Sequence, residues 1–457
     1  MNPQIFREYD IRGVVGHDFD AADVERIGRA FGTYVRQRGG KRLAVGRDHR
    51  LSSEAFGAAL IEGLCSTGCD VVDVGLVPTP VLYFSLFHLN TDGGCMVTAS
   101  HNPAAYNGIK LCFGRGALYG EEIQLIRHLA EQGSFVHGAA KRSQAEVIPA
   151  YMEYAIHQIH LPRPLKVVMD AGNGTSGLVA PELLRRLGCE LYELYCEVDG
   201  TFPNHHPDPT VPENLRDLIR EVKAQRADVG LAYDGDSDRL GVVDEQGEII
   251  WGDRLLVLFA RDVLSRQPGA KIIFDVKCSQ VLVDDIRAHG GVPIMWMTGH
   301  SLIKKKLYEE QAAVAGEMSG HLFFAEGYLG YDDAIYASCR LLQILAQTEG
   351  PMSALLRDLP GTSTTPEIRV LCADEEKFKV VEQLKIEFQR DHQVVTIDGA
   401  RVVFADGWGL VRASNTQPAL VLRFEATSPQ RLNAIQTLMM DKLRGFPAVK
   451  LDEKPEH

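Results

Sequence analysis

Three aspartates that alternate with small residues give the strongest chemical signal in the chain. Asp234, Asp236 and Asp238 stand in LAYDGDSDRLGVVD at 231–244. Because alternate side chains of an extended or looped backbone point to the same side, the three carboxylates should converge and repel one another unless a cation lies among them. Oxygen ligands suit Mg²⁺ or Ca²⁺, although the spacing is not that of an EF-hand. The flanking apolar residues favour a metal site over a solvated acidic turn, and Arg239 could hold an anion that bridges to the metal.

A serine on a predicted tight turn gives the second signal. In VTASHNPAAYNGIKLCF at 97–113 an apolar run ends at Ser100, and the following Asn102 and Pro103 favour a turn. A serine on such a turn can present its hydroxyl outward, and Lys110 follows in a segment able to fold back as a strand. Taken alone, this short motif is more typical of a turn whose polar side chains make structural hydrogen bonds.

A compact polar loop between two apolar runs is the third feature, in AAVAGEMSGHLFF at 312–324. Its two glycines permit close approach of a ligand to the backbone. Glu317 and Ser319 can hydrogen-bond to hydroxyls, as sugar recognition requires, and His321 can donate to an oxygen or carry a proton. A single histidine in a turn is usually structural, so the loop does not specify a function by itself.

A polar turn between two predicted strands is the fourth feature, in LVRASNTQPALVLRFEAT at 410–427. A guanidinium, two hydroxyls, an amide and the N–H groups of the turn together form a cradle for phosphate. The turn lacks the glycines of a Walker P-loop. An ordinary polar hairpin remains an equal alternative. The residues concerned are Arg412, Ser414, Asn415 and Thr416.

One pattern recurs three times and predicts the elements that position these loops. Each copy has a short apolar run, an acidic residue, a turn of small residues, an amphipathic helix, a glycine and a second apolar run. The copies lie at 41–75, 165–194 and 271–297. Strands that are apolar throughout are expected where helices cover both faces of a sheet. The repeats therefore predict three related α/β domains with mostly parallel sheets, although any α/β protein contains several such units.

The gaps between these patterns predict four domains. We place α/β domains at 1–144, 145–248 and 249–360, with helices expected near 145–159 and after a hairpin at 242–250. After Pro360 the pattern changes to a helix near 374–390, meandering strands and a final helix near 429–443. The segment 361–457 is therefore predicted to be an α+β domain, and the predicted fold class is α/β with three similar mixed domains and this fourth one.

Composition excludes several classes of protein. The chain has 48 Lys and Arg against 61 Asp and Glu, a formal net charge of −13, which makes nucleic acid an unlikely partner. Its nine cysteines include no C-x-x-C pair, so neither a disulfide framework nor a zinc ribbon is expected. No apolar run approaches the length of about 18 residues needed for a membrane span, and the N-terminus has charges where a signal peptide needs apolar residues. We expect a cytoplasmic protein without membrane contact.

Four motifs in a fixed order carry a family resemblance. TASHNP, DGDSDR, GEMSGH and RASNTQP occur at wide spacings, and together they resemble the α-D-phosphohexomutases, most closely their bacterial phosphomannomutase/phosphoglucomutase branch. The resemblance extends over essentially the whole chain. It implies four domains around a central cleft, with the fourth domain closing over the substrate phosphate. One departure is Ala334 in YDDAIYA, where many relatives have glycine; we expect it to alter local backbone freedom only.

The resemblance also implies roles for individual residues. Ser100 matches the phosphoserine, and with Asp234, Asp236 and Asp238 it would bind one Mg²⁺ per chain. Glu317 and Ser319 match the residues that hold O3 and O4 of the sugar. Arg412, Ser414, Asn415 and Thr416 match a distal phosphate site. The residues expected around the phosphates and the transfer centre are Tyr9, Arg12, His101, Lys110, Arg239, Lys277, His300 and His321.

The implied reaction converts hexose 1-phosphate into hexose 6-phosphate through a phosphoserine enzyme and a 1,6-bisphosphate intermediate. Glucose or mannose 1,6-bisphosphate would activate the enzyme, with His321 or Lys110 as the base. A loop that holds O3 and O4 does not read C2, so both mannose and glucose should be accepted. A phosphoglucosamine mutase is the closest alternative, and a metal-dependent sugar phosphatase or an inactive sugar-phosphate sensor is less favoured. We expect a monomer or weak dimer.

Overall fold

Four β-sheets with helices packed on them make up the molecule. The computed structural model describes residues 1–415 and 417–451. The continuously apolar runs of the sequence form the interior strands, where neighbouring strands satisfy the backbone groups and helices cover the side chains. The three predicted copies of strand–helix–strand are confirmed below, one in each of the first three sheets.

The first sheet contains the serine turn between two paired strands. Its elements are β1 (Ile11–Val14), α1 (Ala21–Gln37), β2 (Arg42–Arg47), α2 (Ser53–Ser66), β3 (Asp70–Leu76), α3 (Thr79–His88), β4 (Gly93–Val97), β5 (Tyr106–Phe113), β6 (Gly116–Ala117), α4 (Glu121–Gln132) and β7 (Arg142–Gln144). The strand order is β1–β5–β4–β2–β3–β7, with β6 on β5. Because β4 and β5 are antiparallel with Met96 opposite Lys110, the lysine lies on the strand that returns from the Ser100 turn.

The second sheet presents the aspartate loop at the end of a central strand. Its elements are α5 (Ile148–Ile156), β8 (Lys166–Asp170), α6 (Ala180–Arg186), β9 (Glu190–Leu194), α7 (Arg216–Gln225), β10 (Val229–Tyr233), β11 (Leu240–Asp244) and β12 (Ile249–Ile250), in the order β12–β11–β10–β8–β9. Helix α5 is shorter than the predicted 145–159, since Pro149 restricts it to a start at Ile148. The antiparallel pair β10 and β11 has Tyr233 opposite Leu240, so the aspartates fill the connecting loop.

The third sheet carries the loop with Glu317 and His321. Its elements are α8 (Gly252–Arg266), β13 (Lys271–Asp275), α9 (Gln280–Ala288), β14 (Val292–Trp296), α10 (His300–Glu310), β15 (Val314–Gly316), β16 (Leu322–Phe324) and α11 (Ala334–Gln347), in the order β14–β13–β15–β16. Asp333 caps α11 by accepting from the Tyr336 N–H, and the N–H of Ala334 donates to Ser237 O at 3.3 Å. Alanine at 334 thus takes an ordinary helical position.

The repeated unit pairs its two strands in the same way in all three sheets. The pairs β2 and β3, β8 and β9, and β13 and β14 are parallel, and each pair is joined by one helix. A parallel connection of this kind needs a crossover, which the helices α2, α6 and α9 supply. The predicted three similar mixed α/β domains are confirmed.

The fourth sheet is antiparallel with two helices, as predicted for an α+β domain. Its elements are β17 (Ser363–Thr364), β18 (Ile368–Cys372), α12 (Asp374–Phe388), β19 (Gln393–Val395), β20 (Ala400–Phe404), β21 (Gly407–Ala413), β22 (Ala419–Ala426), α13 (Pro429–Arg444) and β23 (Val449–Lys450). The order is β19–β20–β21–β22–β18–β23, with β17 on β22. The loop after Arg412 connects β21 to β22.

The hydrophobic core distinguishes the fourth domain from the others. One continuous cluster joins the first three sheets through residues such as Tyr83, Leu183 and Phe259, whereas the fourth has its own cluster around Leu422 and Met439. The fourth domain therefore has its own core, and it packs on the third domain through a small apolar cluster of Val276, Trp408 and Leu410. Within residues 1–415 and 417–451, no helix is both long enough and apolar enough to cross a membrane.

Candidate active site

Ser100 lies in a strained turn with its hydroxyl on the aspartate loop. Its backbone has φ of 50°, a left-handed conformation that costs a non-glycine residue energy and that recurs at functional sites. The side chain is buried, and Oγ donates to Asp234 Oδ2 at 2.6 Å. Oγ also lies 3.1 Å from His101 Nδ1. The hydroxyl of the turn is thus aimed at the carboxylates rather than at solvent.

Arg50, which the sequence analysis missed, holds this turn in place. Its guanidinium is buried and donates to four backbone carbonyls of the turn, with lengths between 2.6 and 3.0 Å; they belong to Ser100, Asn102, Pro103 and Tyr106. Its Nε lies 3.2 Å from Asp48 Oδ2. Both residues follow the carboxyl end of the parallel strand β2, where ligand-binding residues collect in such sheets, and that position was the available signal.

The three aspartates converge as predicted. All three side chains are buried, and one carboxylate oxygen from each lies within 4.8 Å of the others. Burial and the neighbouring charges of Asp238 and Asp236 raise the pKa of Asp234 well above its ordinary value. In the described part of the chain, Oδ1 of Asp236 and Oδ1 of Asp238 have no hydrogen-bond partner. Buried oxygens without donors, on carboxylates that repel each other, fit a hard divalent cation.

The aspartate loop packs directly against the serine turn. A Cβ on Gly235 would meet the carbonyl oxygen of Ser100 at 2.5 Å, so only glycine allows this approach. Thr175 braces the loop from behind, because its N–H donates to Gly235 O at 3.0 Å and its hydroxyl lies 2.9 Å from Ser237 Oγ. The two loops come from different domains, and this contact sets the position of one relative to the other.

Lys110 is held by two of the three aspartates. Its Nζ donates to Asp236 Oδ2 at 2.7 Å and also to Asp238 Oδ2. Burial alone would lower the pKa of Lys110, but the two carboxylates outweigh that effect and hold the pKa above its ordinary value. Thr79 adds a further donor that sequence reasoning missed, with Oγ1 2.6 Å from Asp236 Oδ2. The lysine is therefore a buried cation at the transfer centre.

Arg12 and His101 lie near the serine turn, among other charged residues. Arg12 donates from one Nη to Asn102 Oδ1 and from the other to Asp10 Oδ2, each at 2.5 Å. Burial and the positive charges of Arg239 and Arg12 lower the pKa of His101 well below its ordinary value. His101 is consequently a neutral hydrogen-bonding group among cations.

His321 and His300 stack beside the aspartate loop. Their ring centroids lie 5.4 Å apart, and Arg239 Nε donates to His321 Nε2 at 3.0 Å. His300 is the first residue of helix α10, directly after Gly299. Burial lowers the pKa of His300 well below its ordinary value. Both rings come from the third domain; His321 reaches Arg239 of the second domain, and His300 faces Tyr9 of the first at 6.1 Å between ring centroids.

Glu317 lies between the two halves of the site. Its Oε1 accepts from the N–H of Gly299 at 2.6 Å, and its N–H donates to the His321 carbonyl at 2.9 Å. Burial raises the pKa of Glu317 above its ordinary value. Ser319, two residues later, is half-buried. The predicted sugar-binding loop thus connects the transfer centre with the Thr298–Gly299 loop.

The loop of the fourth domain closes the other end of the site. Arg412 donates from Nε to Asp398 Oδ2 at 2.9 Å, and the N–H of Thr298 donates to the same oxygen at 3.0 Å. Lys277 lies near this loop, paired with Glu367 at 3.2 Å. Burial by itself would raise the pKa of Glu367, but the positive charges of Lys277 and Arg369 lower that pKa to about 2.

Tyr9 connects three domains at this end. Its hydroxyl donates to Thr298 O at 2.6 Å and accepts from Asn415 Nδ2. Gly299 has φ of 135°, and a Cβ there would lie 2.4 Å from the tyrosine ring. Of the other predicted residues of the loop, Ser414 Oγ accepts from the Gln417 N–H at 3.1 Å, and Thr416 lies outside the described residues.

The site therefore has two centres on one cleft. One is a buried charged centre formed by the serine, the aspartates, Lys110, Arg239 and the two histidines. Arg412, Lys277 and Asn415 form a cationic and polar centre at the other end. A ligand with two anionic groups and hydroxyls between them would match this arrangement.

Four domain families match the chain in order. They are described as phosphoglucomutase/phosphomannomutase alpha/beta/alpha domain I (residues 3–137), domain II (149–247), domain III (251–362) and the C-terminal domain (367–442). A Pseudomonas aeruginosa protein named phosphomannomutase/phosphoglucomutase is 50% identical over 446 residues, 96% of each chain. A Neisseria gonorrhoeae protein named phosphoglucomutase is 47% identical over 448 residues, 97% of each chain.

A solved structure agrees in fold over nearly the whole molecule. The crystal structure of a phosphoglucomutase/phosphomannomutase family protein from Burkholderia thailandensis superposes with a TM-score of 0.93 at 48% identity, covering 97% of this chain and 98% of the other. The four-domain architecture around a cleft is shared throughout.

Proposed function

Since the chain belongs to the phosphoglucomutase/phosphomannomutase family of α-D-phosphohexomutases and interconverts hexose 1-phosphates and 6-phosphates, we propose that Ser100 carries the phosphoryl group during the reaction. The observation that carries the proposal is the 2.6 Å hydrogen bond from Ser100 Oγ to Asp234, inside a buried triad of aspartates. A nucleophile placed beside a metal-binding carboxylate is the arrangement that phosphoryl transfer requires.

Each half of the reaction exchanges one P–O bond for another. In the first half, the bond between Ser100 Oγ and phosphorus breaks as a bond forms between phosphorus and O6 of a hexose 1-phosphate. The 1,6-bisphosphate then turns over in the cleft, and its other phosphoryl group returns to Ser100. One proton moves from the attacking hydroxyl to the departing oxygen in each half: from O6 to Ser100 Oγ in the first, and from Ser100 Oγ to O1 in the second. The second half therefore restores the phosphoserine and leaves hexose 6-phosphate.

Asp234, Asp236 and Asp238 would hold one Mg²⁺, with an oxygen of the phosphoserine as a further ligand. When bound, Mg²⁺ supplies neutralisation of the charge on the transferring group. Lys110 and Arg239 add fixed positive charge at the same place and cost no reorganisation during transfer. Lys110 is already ionised by its contacts with Asp236 and Asp238, which suits a charge-stabilising role better than that of a base.

His321 is then the better base of the two that the sequence left open. Its Nε2 accepts a hydrogen bond from Arg239, so this nitrogen has a lone pair available when the guanidinium turns to a phosphate. A positioned base of this kind contributes about 10²–10⁴-fold to the rate.

The Arg412 loop would bind the phosphate that is not being transferred. With Lys277 at the same end, it would take the 1-phosphate and the 6-phosphate in turn, and binding energy from that contact would fix the reacting oxygen. Tyr9, Asn415 and Thr416 belong to this proposal as neighbouring contacts of the phosphate.

Glu317 and Ser319 would hold O3 and O4 of the sugar, which are oriented alike in mannose and glucose. We therefore propose that both sugars are substrates and that either 1,6-bisphosphate activates the enzyme. The names of the relatives, phosphomannomutase/phosphoglucomutase and phosphoglucomutase, favour this over the phosphoglucosamine alternative.

A product assay tests the proposal. The protein is incubated with mannose 1-phosphate, glucose 1-phosphate or glucosamine 1-phosphate, Mg²⁺ and a trace of glucose 1,6-bisphosphate. We expect the 6-phosphates of mannose and glucose without release of inorganic phosphate. Release of phosphate would indicate a phosphatase, and a preference for glucosamine 1-phosphate would reject the proposed specificity. The domain boundaries at 144, 248 and 360, a cytoplasmic location and a monomeric or weakly dimeric state stay predictions.

A further inference from the structure

A buried carboxylate without a role in the proposed reaction lies beside the two stacked histidines. Asp332 is fully buried in the segment between β16 and α11. One of its oxygens, Oδ2, lies 3.3 Å from His321 Nδ1 and 3.5 Å from His300 Nδ1. The other, Oδ1, lies 2.7 Å from the ammonium of Lys304. The Asp332 carboxylate therefore faces Nδ1 of each of the two imidazoles.

The opposite nitrogen of His321 fixes where its proton is. Arginine has no acceptor atom, so the 3.0 Å contact from Arg239 Nε to His321 Nε2 requires a lone pair on Nε2. A neutral imidazole has one N–H, which must then be on Nδ1, the atom that faces Asp332. The hydrogen bond at Nε2 specifies the tautomer, and the carboxylate oxygen 3.3 Å from Nδ1 favours a proton on that atom.

We propose that Asp332 is a positioning residue that holds His321 and His300 with their Nδ1–H groups directed at its carboxylate, which keeps the lone pair of His321 on Nε2. The inference rests on the proposed function, in which that lone pair accepts the proton of the sugar hydroxyl. Asp332 itself touches neither substrate nor metal. Without it, the other tautomer would place a proton on Nε2, where it meets the guanidinium of Arg239 and cannot serve as a base.

Lys304 completes the arrangement by neutralising the carboxylate. Its ammonium is buried, pairs with Asp332 at 2.7 Å and lies 3.8 Å from the centroid of the Tyr83 ring. A buried carboxylate without a counter-charge would be costly. With the lysine in place, the charge of Asp332 is balanced beside the two imidazoles.

A second metal site is the competing interpretation of the same cluster. Ligand atoms of Asp238, His321 and Asp332 lie within 4.8 Å of one another, and His321 Nδ1 is 3.6 Å from Asp238 Oδ1. Against a second cation, the ammonium of Lys304 already occupies one oxygen of Asp332, and Arg239 requires the proton of His321 to be on the nitrogen that would bind the metal. We therefore assign the cluster to proton placement.

Asp333 offers a matched control at the next position. It is equally buried, but it accepts from the hydroxyls of Tyr151 and Tyr328 and caps helix α11. Asp333→Asn makes the same chemical change one residue away and leaves the two histidines untouched. Its thermal stability can change, but its histidine tautomers and its kinetics should not.

The experiment reads the tautomers directly. The full-length protein is labelled with ¹⁵N-histidine, and long-range ¹H–¹⁵N spectra are recorded with Mg²⁺ present; His321→Gln and His300→Gln assign the signals. We expect Nδ1–H for His321 in the wild type and a mixture or the Nε2–H form in Asp332→Asn. In that variant kcat should fall by roughly 10²-fold or more, within the range for a positioned base, while KM changes little. Asp332→Glu, which keeps the charge, should recover part of the loss.

Three results would overturn the proposal. They are an Nε2–H tautomer of His321 in the wild type, wild-type tautomers together with wild-type kcat in Asp332→Asn, or two bound metal ions per chain by elemental analysis with His321 Nδ1 as a ligand. If Asp332→Asn does not fold, the wild-type spectrum and Asp332→Glu decide. A fully active His321→Gln would reject His321 as the base but would leave the tautomer assignment unaffected. The proposed base and the proposed role of Asp332 can therefore be rejected independently.

Discussion

Ser100 Oγ donates a hydrogen bond to Asp234 Oδ2 at 2.6 Å, although the two residues are 134 positions apart in the chain. The bond joins the first domain to the second at the point where both loops are most constrained, since Gly235 packs on the carbonyl of Ser100 and Arg50 holds the serine turn from behind. The proposed nucleophile and the aspartate loop are therefore held together by contacts between two domains.

Replacement of this serine tests the covalent mechanism. Ser100→Ala should lower kcat by several orders of magnitude, because the phosphoryl carrier is lost, with residual turnover only if water or bisphosphate substitutes for it. Intact-mass analysis should show one phosphoryl group on the wild type and none on the variant. Ser85→Ala, which changes a buried serine whose hydroxyl donates to Leu82 O in its own helix, serves as the control and should retain both phosphate and activity. Full activity of Ser100→Ala would reject the mechanism.

Removal of one aspartate tests the metal assignment. Asp236→Asn leaves two carboxylates and a less well neutralised cation. Mutation of residues that only hydrogen-bond to a metal ligand typically lowers metal affinity about 10–100-fold. Loss of a ligand itself should therefore raise the Mg²⁺ concentration for half-maximal activity by at least about tenfold. Asp228→Asn, which changes a carboxylate that accepts from the Lys166 N–H at the far end of the same sheet, should leave the titration unchanged. Overlapping curves for Asp236→Asn and the wild type would contradict the site.

The distal loop should serve both orientations of the sugar. Hydrogen bonds to a charged group contribute roughly 1.5–3 kcal/mol each, so Arg412→Ala should lower kcat/KM by about one to two orders of magnitude. The loss should be the same for 1-phosphate and 6-phosphate substrates, and Ser100 should still accept phosphate. Arg412→Lys, which keeps the charge without the planar fork, should lose less. Measurement of kcat/KM in both directions decides the point, since a loss in one direction only would exclude a shared site.

Asp333 should make stability depend on pH. Burial raises the pKa of Asp333 from its ordinary value of 3.8 to about 6. The folded protein thus keeps a proton that the unfolded chain has already lost, so the contribution of this group to stability falls as the pH rises from about 4 to about 6, by up to roughly 3 kcal/mol. Asp333→Asn cannot titrate, so its melting temperature relative to the wild type should rise with pH across this range. If the melting temperatures of the variant and the wild type differ by a constant amount from about pH 4 to about pH 7, the pKa of the Asp333 carboxyl is not raised in the folded protein.

The sequence alone specified most of the architecture, because its information is local. Repeated apolar runs separated by amphipathic helices were sufficient for three parallel strand–helix–strand units, and meandering strands were sufficient for the α+β domain. Asp234, Asp236 and Asp238 were also recognisable, since their types and spacing within one short loop determine which side chains can converge. Ser100 was identified only through the family resemblance of the four motifs.

Tertiary structure decided what depends on contacts between distant segments. Arg50 and Asp332 stand in no chemical motif, and only the fold brings them to the serine turn and to the two histidines. The ionised state of Lys110 follows from burial between two carboxylates more than 120 positions away, which no local pattern records. Charge states and proton positions are set by desolvation and by partners across domain boundaries, and these are properties of the folded molecule and not of its sequence.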